Sequence, residues 1–174
     1  MEEVGREISE QDTERTHRGT REYGYHYFKL EEGDFSFSPL PGFLNDLGRE
    51  VCLGLGHGTR DFTNVILSVY EEGFHLEPHI DTDFSDLPKK KYCYGEHVYG
   101  LILEADPTGR LYFIRDDVNL IPSLDLSPFY SVAEKPGGIF CLNGALRRTP
   151  YFHGVSKVSR RRISITFRTV HFRR

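Results

Sequence analysis

Short stretches of alternating apolar and polar residues recur along most of the chain. The clearest are residues 22–30, 63–70, 97–105, 110–116, 137–144 and 161–172. Alternation at a period of two puts the apolar side chains on one face of a strand, so each stretch predicts a β-strand. A helical period follows Pro41, where Phe43, Leu44, Leu47 and Val51 recur at three- and four-residue spacing. The pattern predicts a β-rich protein with a helix near its N-terminal side.

The chain divides into a short polar leader and one domain. Residues 1 to about 20 are polar and charged, and they predict a disordered leader. Residues 21–174 fit a single domain, because a chain of this length can bury a sizeable core without disulfides or a structural metal. Short strands with irregular connections favour a sandwich or a jelly-roll barrel over a parallel α/β sheet.

Composition favours an intracellular protein. Ten Tyr and thirteen Phe, with no Trp, agree with a strand-rich class. Cys52, Cys93 and Cys141 are too few and too scattered for a disulfide framework or a Cys-based zinc site, which favours a reducing compartment. The N-terminus is charged rather than signal-like, and no apolar run is long enough to cross a bilayer. We expect a monomer in the cytoplasm or nucleus, with no membrane partner.

Positive charge is concentrated near the C-terminus, although the whole chain carries a net charge of -4. The basic residues of this end are Arg147, Arg148, Lys157, Arg160, Arg161, Arg162, Arg168, Arg173 and Arg174. Such a surface could bind a polyanion, with Arg147 and Arg148 on phosphates, or it could only keep the protein soluble. Both interpretations stay open.

The segment HLEPHIDTDF, residues 75–84, places an imidazole and a carboxylate two residues apart. On a strand, His79 and Asp81 would project from the same face and could bind one metal ion. A solvated edge strand would carry the same pair, so the spacing alone does not decide between the two. A third ligand would favour the metal.

The segment RRISITFRTVHF, residues 161–172, separates polar from apolar side chains on one strand. Its polar face carries Arg162, Ser164, Thr166 and Arg168. Its other face carries Ile163, Ile165, Phe167 and Thr169. The apolar face can pack on an outer layer while the polar face looks into a barrel mouth, where two arginines need anionic partners. A small dicarboxylate would satisfy both, because guanidinium binds carboxylate bidentately.

His153, in the segment PYFHGVSK just upstream, is the candidate third ligand. Two His and one carboxylate form the facial triad of non-haem Fe(II) sites, which leaves coordination positions open for other molecules. The dicarboxylate held by the arginines would then be a co-substrate of such a centre.

Together these segments resemble the AlkB-like branch of the 2-oxoglutarate and iron(II)-dependent dioxygenases. The resemblance rests on SVYEEGFHLEPHIDTDF, GGIFCLNG, YFHGVSK and RRISITFR, and it runs from about Val65 to Phe172. It implies a double-stranded β-helix (jelly-roll) barrel, of β-rich (α+β) class, with one or two N-terminal helices packed outside. It also implies the use of Fe(II), 2-oxoglutarate and O2.

The resemblance assigns roles to particular residues. It makes His79, Asp81 and His153 the iron ligands and the catalytic centre. It places Arg162 and Arg168 on the two carboxylates of 2-oxoglutarate, with Tyr70 and Ser164 as hydrogen-bonding partners. Ser68 departs from the family pattern, which often has Asn two residues before the tyrosine.

For the substrate, the resemblance implies oxidative demethylation of an N-alkylated base in single-stranded DNA or RNA. Asp83 would accept a hydrogen bond from the base amino group, and it would equally serve as a turn residue. The region upstream of His79 is short for a lid over a flipped base, which favours a second hypothesis, a protein side chain or small metabolite as substrate. A third hypothesis is a non-catalytic binding module on the same barrel.

Overall fold

The computed structural model describes residues 19–26, 30, 33–82, 87, 89–115, 130–148 and 150–173. Strands are the commonest regular structure among them. The strands are β1 (Gly19–Tyr25), β2 (Phe37–Ser38), β3 (Asn64–Tyr70), β4 (Leu76–His79), β5 (Tyr92–Tyr94), β6 (Val98–Glu104), β7 (Arg110–Arg115), β8 (Tyr130–Ala133), β9 (Ile139–Leu142), β10 (Tyr151–Val155), β11 (Arg162–Arg168) and β12 (Val170–Phe172). The helical segments discussed below are α1 (Gly42–Gly54) and a 3-10 helix, Gly144–Arg147.

The strands form a major, a minor and a two-stranded sheet. The major sheet has the order β2-β1-β3-β11-β6-β9, and the minor sheet has the order β4-β10-β7-β8. The third sheet pairs β12 with β5, and all of these pairings are antiparallel. The β-rich prediction is confirmed. In the described residues, however, the sheets are hydrogen-bonded separately and do not close into a barrel.

The helix α1 packs on the outer face of the major sheet. Its buried residues are Leu44, Gly48, Val51 and Cys52, so the apolar positions seen in the sequence mark the buried stripe. This stripe joins a core cluster that also contains Phe62, Val65, Tyr99, Ile165 and Phe167. The predicted apolar face of β11 therefore does pack on an outer layer. Pro41 is the N-cap residue, immediately before the first helical residue, as predicted.

Three predicted strands have different limits in the structure. The run 161–172 is split at Thr169, and β12 leaves the major sheet to pair with β5. The strand in HLEPHIDTDF ends at His79, where its pairing with β10 ends. The first strand begins at Gly19, two residues before the predicted domain boundary, and ends at Tyr25. Most of the predicted leader, residues 1–18, lies outside the described residues.

The structure describes all three cysteines, and its helices can be compared with the length of a membrane span. Cys52, Cys93 and Cys141 are all free thiols. Among the described residues, no helix combines the length and the apolar character that crossing a bilayer requires.

Candidate metal and co-substrate site

A cavity lies between the inner faces of the major and minor sheets, and both polar and apolar side chains line it. The major sheet contributes polar side chains from β3 and β11: Ser68, Tyr70, Arg162, Ser164, Thr166 and Arg168. The minor sheet contributes His79 from β4 and His153 from β10. The polar face that alternation predicted on β11 thus lines this cavity.

His79 and Asp81 approach each other at the end of β4. The Nε2 atom of His79 lies 3.9 Å from Oδ1 of Asp81. Asp81 lies two residues beyond the end of β4, so of the predicted pair only His79 is in a strand. The His79 Nδ1 atom lies 2.9 Å from the Glu77 carbonyl oxygen. Because a carbonyl only accepts, Nδ1 carries a proton, so in the neutral imidazole the lone pair is on Nε2, the atom close to Asp81.

His153 reaches the same point from the neighbouring strand. Its Cα is opposite that of His79 in the β4–β10 ladder, and the two rings are 4.4 Å apart between centroids. The ladder is irregular just after His153, where a Cβ on Gly154 would lie 2.5 Å from the Leu76 carbonyl oxygen. Glycine at this position therefore permits the close approach of β4 that brings the two histidines together.

The three residues form a group that fits a metal ion. One ligand atom from each of His79, Asp81 and His153 lies within 4.8 Å of the other two. Burial, reinforced by His79, lowers the pKa of His153 to about 3, so its imidazole is neutral and offers a lone pair. The Nδ1 atom of His153 is buried and has no hydrogen-bond partner among the described residues. A buried polar atom without a partner is costly, and a metal would satisfy it.

Arg168 joins the possible metal ligands to the polar face of β11. Its Nη2 atom lies 3.5 Å from Oδ2 of Asp81, and both side chains are almost fully buried. Burial alone would raise the pKa of Asp81, but Arg168, followed by the two histidines, holds that pKa well below its ordinary value. Asp81 is therefore a carboxylate at all ordinary pH values, as a metal ligand must be.

The two arginines at the ends of β11 lean towards its middle. Arg162 Nη1 donates to Ser164 Oγ at 2.9 Å, and Arg168 Nη1 donates to Thr166 Oγ1 at 2.7 Å. The Arg162 guanidinium also lies over the Tyr70 ring, 4.9 Å from its centroid. The two positive groups thus face one shared cavity. The residues predicted to bind a dicarboxylate are brought together, including Tyr70 and Ser164.

Glu134, which follows β8, is a residue of this site that the sequence did not indicate. Its carboxylate forms a bidentate ion pair with Arg162, with Nε–Oε2 at 2.6 Å and Nη2–Oε1 at 2.7 Å. The side chains of Arg162 and Glu134 are 2% and 4% exposed. Glu134 thereby occupies one edge of the guanidinium. In the sequence it stands in a polar AEKP stretch that looks like an exposed loop.

The predicted substrate residues are not all in one place. Arg147 is 1% exposed and donates to the Gly95 carbonyl oxygen, and it adds a weaker positive field at Asp81. Arg148 is exposed, so the two arginines do not form one surface pair. Asp83 lies outside the described residues.

The tyrosine-rich stretch that precedes and enters β6 packs in the core. Tyr92, Tyr94 and Tyr99 are at most 4% exposed. These three rings are therefore core residues, and they are not exposed for stacking on bases.

Comparison with solved structures gives matches across most of the chain. OsALKBH1 matches with a TM-score of 0.60 and 17% identity, over 87% of this chain and 78% of that one. The likeness shows the jelly-roll fold. A prolyl-4-hydroxylase from Pseudomonas putida matches with a TM-score of 0.51 and 17% identity, over 96% of this chain and 79% of that one. No protein-family model and no curated protein sequence matches the chain.

Proposed function

We propose that this protein is a dioxygenase dependent on Fe(II) and 2-oxoglutarate. The observation that carries the proposal is the meeting of two sets of residues at Asp81. One set is the possible metal group of His79, Asp81 and His153, and the other is the pair of buried arginines on β11. A metal and a dicarboxylate bound in this cavity would therefore be neighbours.

The residues of the cavity would divide the work of binding. His79, Asp81 and His153 would hold the metal, with the Glu77 carbonyl fixing the His79 tautomer. Arg162 uses three of its five N–H groups on Glu134 and Ser164, so at most two are left for Tyr70 and for the distal carboxylate of the co-substrate. Tyr70 lies close enough to hydrogen-bond that guanidinium, so its hydroxyl can share the carboxylate.

Arg168 would act between the two sets. It contacts Asp81 and leans along β11, so it can neutralise the metal-bound carboxylate and attract the second carboxylate of the co-substrate. Iron, 2-oxoglutarate and dioxygen would together supply the oxidation of a C–H bond. The protein's contribution is position and charge.

We propose an N-alkylated nucleobase in single-stranded DNA or RNA as the substrate, with oxidative demethylation as the net reaction. Support comes from the AlkB-like resemblance of residues 65–172 and from the structural likeness to OsALKBH1. A single strand is favoured because extrusion of a base from a duplex costs free energy. Asp83 would read the base and Arg148 would contact phosphate. The protein would then work as a monomer in the cytoplasm or nucleus.

A protein side chain or a small metabolite is the second candidate substrate, for the same chemistry. The observation that favours it is the likeness to a prolyl-4-hydroxylase over 96% of this chain. It predicts turnover that proline-containing peptides or small molecules stimulate and oligonucleotides do not. A non-catalytic binding module is a third candidate, and it predicts no turnover at all.

The decisive experiment is succinate formation from 2-oxoglutarate with Fe(II). It should be run alone, with a panel of methylated single-stranded DNA and RNA oligonucleotides, and with proline-containing peptides. His153→Ala should abolish turnover, because it removes a metal ligand. His75→Ala is the matched control, since His75 lies on the same segment as His79 but pairs with Glu77 outside the cavity, and it should keep turnover.

Each outcome has a distinct meaning. Turnover that one oligonucleotide stimulates and His153→Ala abolishes supports the demethylase. Turnover that only peptides stimulate keeps the iron chemistry and moves the substrate to protein. The absence of succinate from folded, iron-loaded wild type under all conditions would refute the enzyme proposal.

A further inference from the structure

A second cluster of metal-ligating side chains lies away from the cavity. His57 follows α1, His97 lies just before β6, and Cys141 lies in β9. One ligand atom from each lies within 4.8 Å of the other two, and all three side chains are partly exposed. They come from three separate parts of the chain, so the cluster is a product of the fold and not of a local motif.

The cluster and the cavity with His79, Asp81 and His153 lie on opposite faces of the major sheet. Tyr99 and Cys141 are paired across β6 and β9, and both pack against the core cluster under α1. Their strand neighbours Val98 and Leu142 line the cavity on the inner face. Successive residues of a strand point to opposite faces, so one sheet separates the two groups of ligands.

The surroundings of His57 orient it as a ligand. Its Nδ1 atom lies 2.9 Å from the Tyr99 hydroxyl. Burial raises the pKa of Tyr99 to about 12, so this hydroxyl keeps its proton, and the Cys52 thiol is within hydrogen-bonding reach of it. If Tyr99 donates to Cys52 and accepts from His57 Nδ1, the His57 Nε2 lone pair is left for a metal. Ligating histidines are commonly fixed by a second-shell hydrogen bond of this type.

We propose that His57, His97 and Cys141 form a binding site for a borderline-soft divalent ion such as Zn²⁺. Two imidazole nitrogens and one thiolate are ligands that suit zinc, with water as the fourth ligand of a tetrahedron. On binding, the Cys141 thiol releases its proton to solvent and the sulfur bonds to the metal. The ion would tie the end of α1 to β6 and β9.

Arg60 is the competitor of the metal at this site. Its Nη1 atom lies 3.3 Å from Nδ1 of His97, and its guanidinium lies over the Tyr99 ring. Because Arg60 always donates, it occupies the Nδ1 lone pair of His97. A metal bound at Nδ1 must displace it, and a metal bound elsewhere in the cluster is repelled by it. Removal of this charge should therefore strengthen metal binding.

Anaerobic titration of the full-length protein with Co²⁺ tests the proposal by a readout independent of turnover. The cluster offers sulfur, whereas the site of His79, Asp81 and His153 offers only nitrogen and oxygen. An intense thiolate-to-cobalt charge-transfer absorption would therefore report this cluster alone. We expect it to saturate when this cluster holds one Co²⁺, in addition to any Co²⁺ that His79, Asp81 and His153 bind, and to disappear when Zn²⁺, the tighter-binding ion, is added.

Three variants sharpen the test. Cys141→Ser should lose the absorption while keeping 2-oxoglutarate turnover, and Cys93→Ser, which changes a thiol outside the cluster, should keep both. If Cys141→Ser does not fold, His97→Ala replaces it, because His97 lies in a loop. Arg60→Gln should lower the half-saturating Co²⁺ concentration by about tenfold, as expected for one charge about 6 Å from a divalent ion at the dielectric constant of water. Absence of the absorption in wild type, or its persistence in Cys141→Ser or His97→Ala, would overturn the proposal.

Discussion

Replacing Glu134 with Ala should destabilise the fold by about 2–4 kcal/mol, because a buried guanidinium would lose its ionic partner. Two hydrogen bonds of 2.6 and 2.7 Å join Glu134 to Arg162, and neither side chain is more than 4% exposed. Removing one member of such a pair typically costs about 3–5 kcal/mol. The cavity beside Arg162 can admit water to the N–H groups that lose Glu134, so we expect a cost around or somewhat below the lower end of that range.

Urea unfolding at neutral pH measures this loss directly. A change of about 2–4 kcal/mol corresponds to a decrease of roughly 4–16 °C in the melting temperature of a chain this size. Glu134→Gln should be less damaging, because the amide keeps one acceptor for Arg162. Glu104→Ala is the matched control, since Glu104 is half exposed and lies 3.9 Å from Arg161. An exposed pair of that kind contributes about 0–1 kcal/mol.

The comparison of Glu134→Ala with Glu104→Ala tests whether the buried ion pair stabilises the fold. If Glu134→Ala is as mild as Glu104→Ala, the ion pair does not contribute as its burial requires. The account of Arg162 as a side chain fixed by Glu134 would then be wrong.

Three further predictions concern the metal ligands, a buried carboxylate and the packing of α1. His153→Ala should bind Fe(II) at least about tenfold more weakly, measured by equilibrium dialysis, while its circular dichroism stays unchanged. Asp106 accepts hydrogen bonds from Thr108 and Ser159 that outweigh burial and hold its pKa below the ordinary 3.8. Asp106→Ala should therefore cost about 2–4 kcal/mol at pH 7, and the difference from wild type in urea unfolding should shrink as the pH falls below about 4, where the unfolded chain binds the proton first. Gly48→Ala should cost about 1–3 kcal/mol in the same assay, because its Cβ would lie 2.6–2.8 Å from buried phenylalanine rings; Gly58→Ala, with open space around it, should be within about 0.5 kcal/mol of wild type.

The face separation on β11 could be predicted from the sequence because it depends on a local period. Ile165 and Phe167 enter the core under α1, while Ser164 and Thr166 line the cavity. The same holds for the helix after Pro41, whose apolar positions became its buried stripe. Neither prediction needs any knowledge of contacts with residues far away in the sequence, because the backbone geometry of a strand or helix fixes which side chains share a face.

The partners of the charged residues could not be predicted, because they depend on contacts between distant segments. Glu134 meets Arg162 across 28 positions, and Asp81 meets Arg168 across 87. No local period relates such residues. Arg147 could not be placed from the sequence either. Its neighbourhood is basic and looks exposed, but it lies in the 3-10 helix Gly144–Arg147 and its side chain is buried.

The position of Asp81 follows from the end of a strand and not from its alternation. Pairing with β10 holds His79 in β4 and ends there, and Asp81 follows two residues later. Arg168 gives the Asp81 carboxylate a buried partner at 3.5 Å. The carboxylate thus lies between His79 and the polar face of β11. The sequence pattern named the right pair, but the strand that it predicted for both residues holds only His79.

The two groups of potential ligands should behave independently because one sheet lies between them. The groups on the inner face surround a cavity with two buried arginines, which suits a metal joined to an anionic ligand. On the outer face, the partly exposed cluster contains a thiol and therefore suits a softer ion. Arg60 lies beside this cluster, and its positive charge opposes the binding of that ion. Their chemical difference makes the independence measurable: Cys141→Ser should alter the sulfur-dependent absorption without changing turnover, and His153→Ala should do the reverse. Coupled losses in both variants would mean that the substitutions disturb the fold as a whole rather than one metal group.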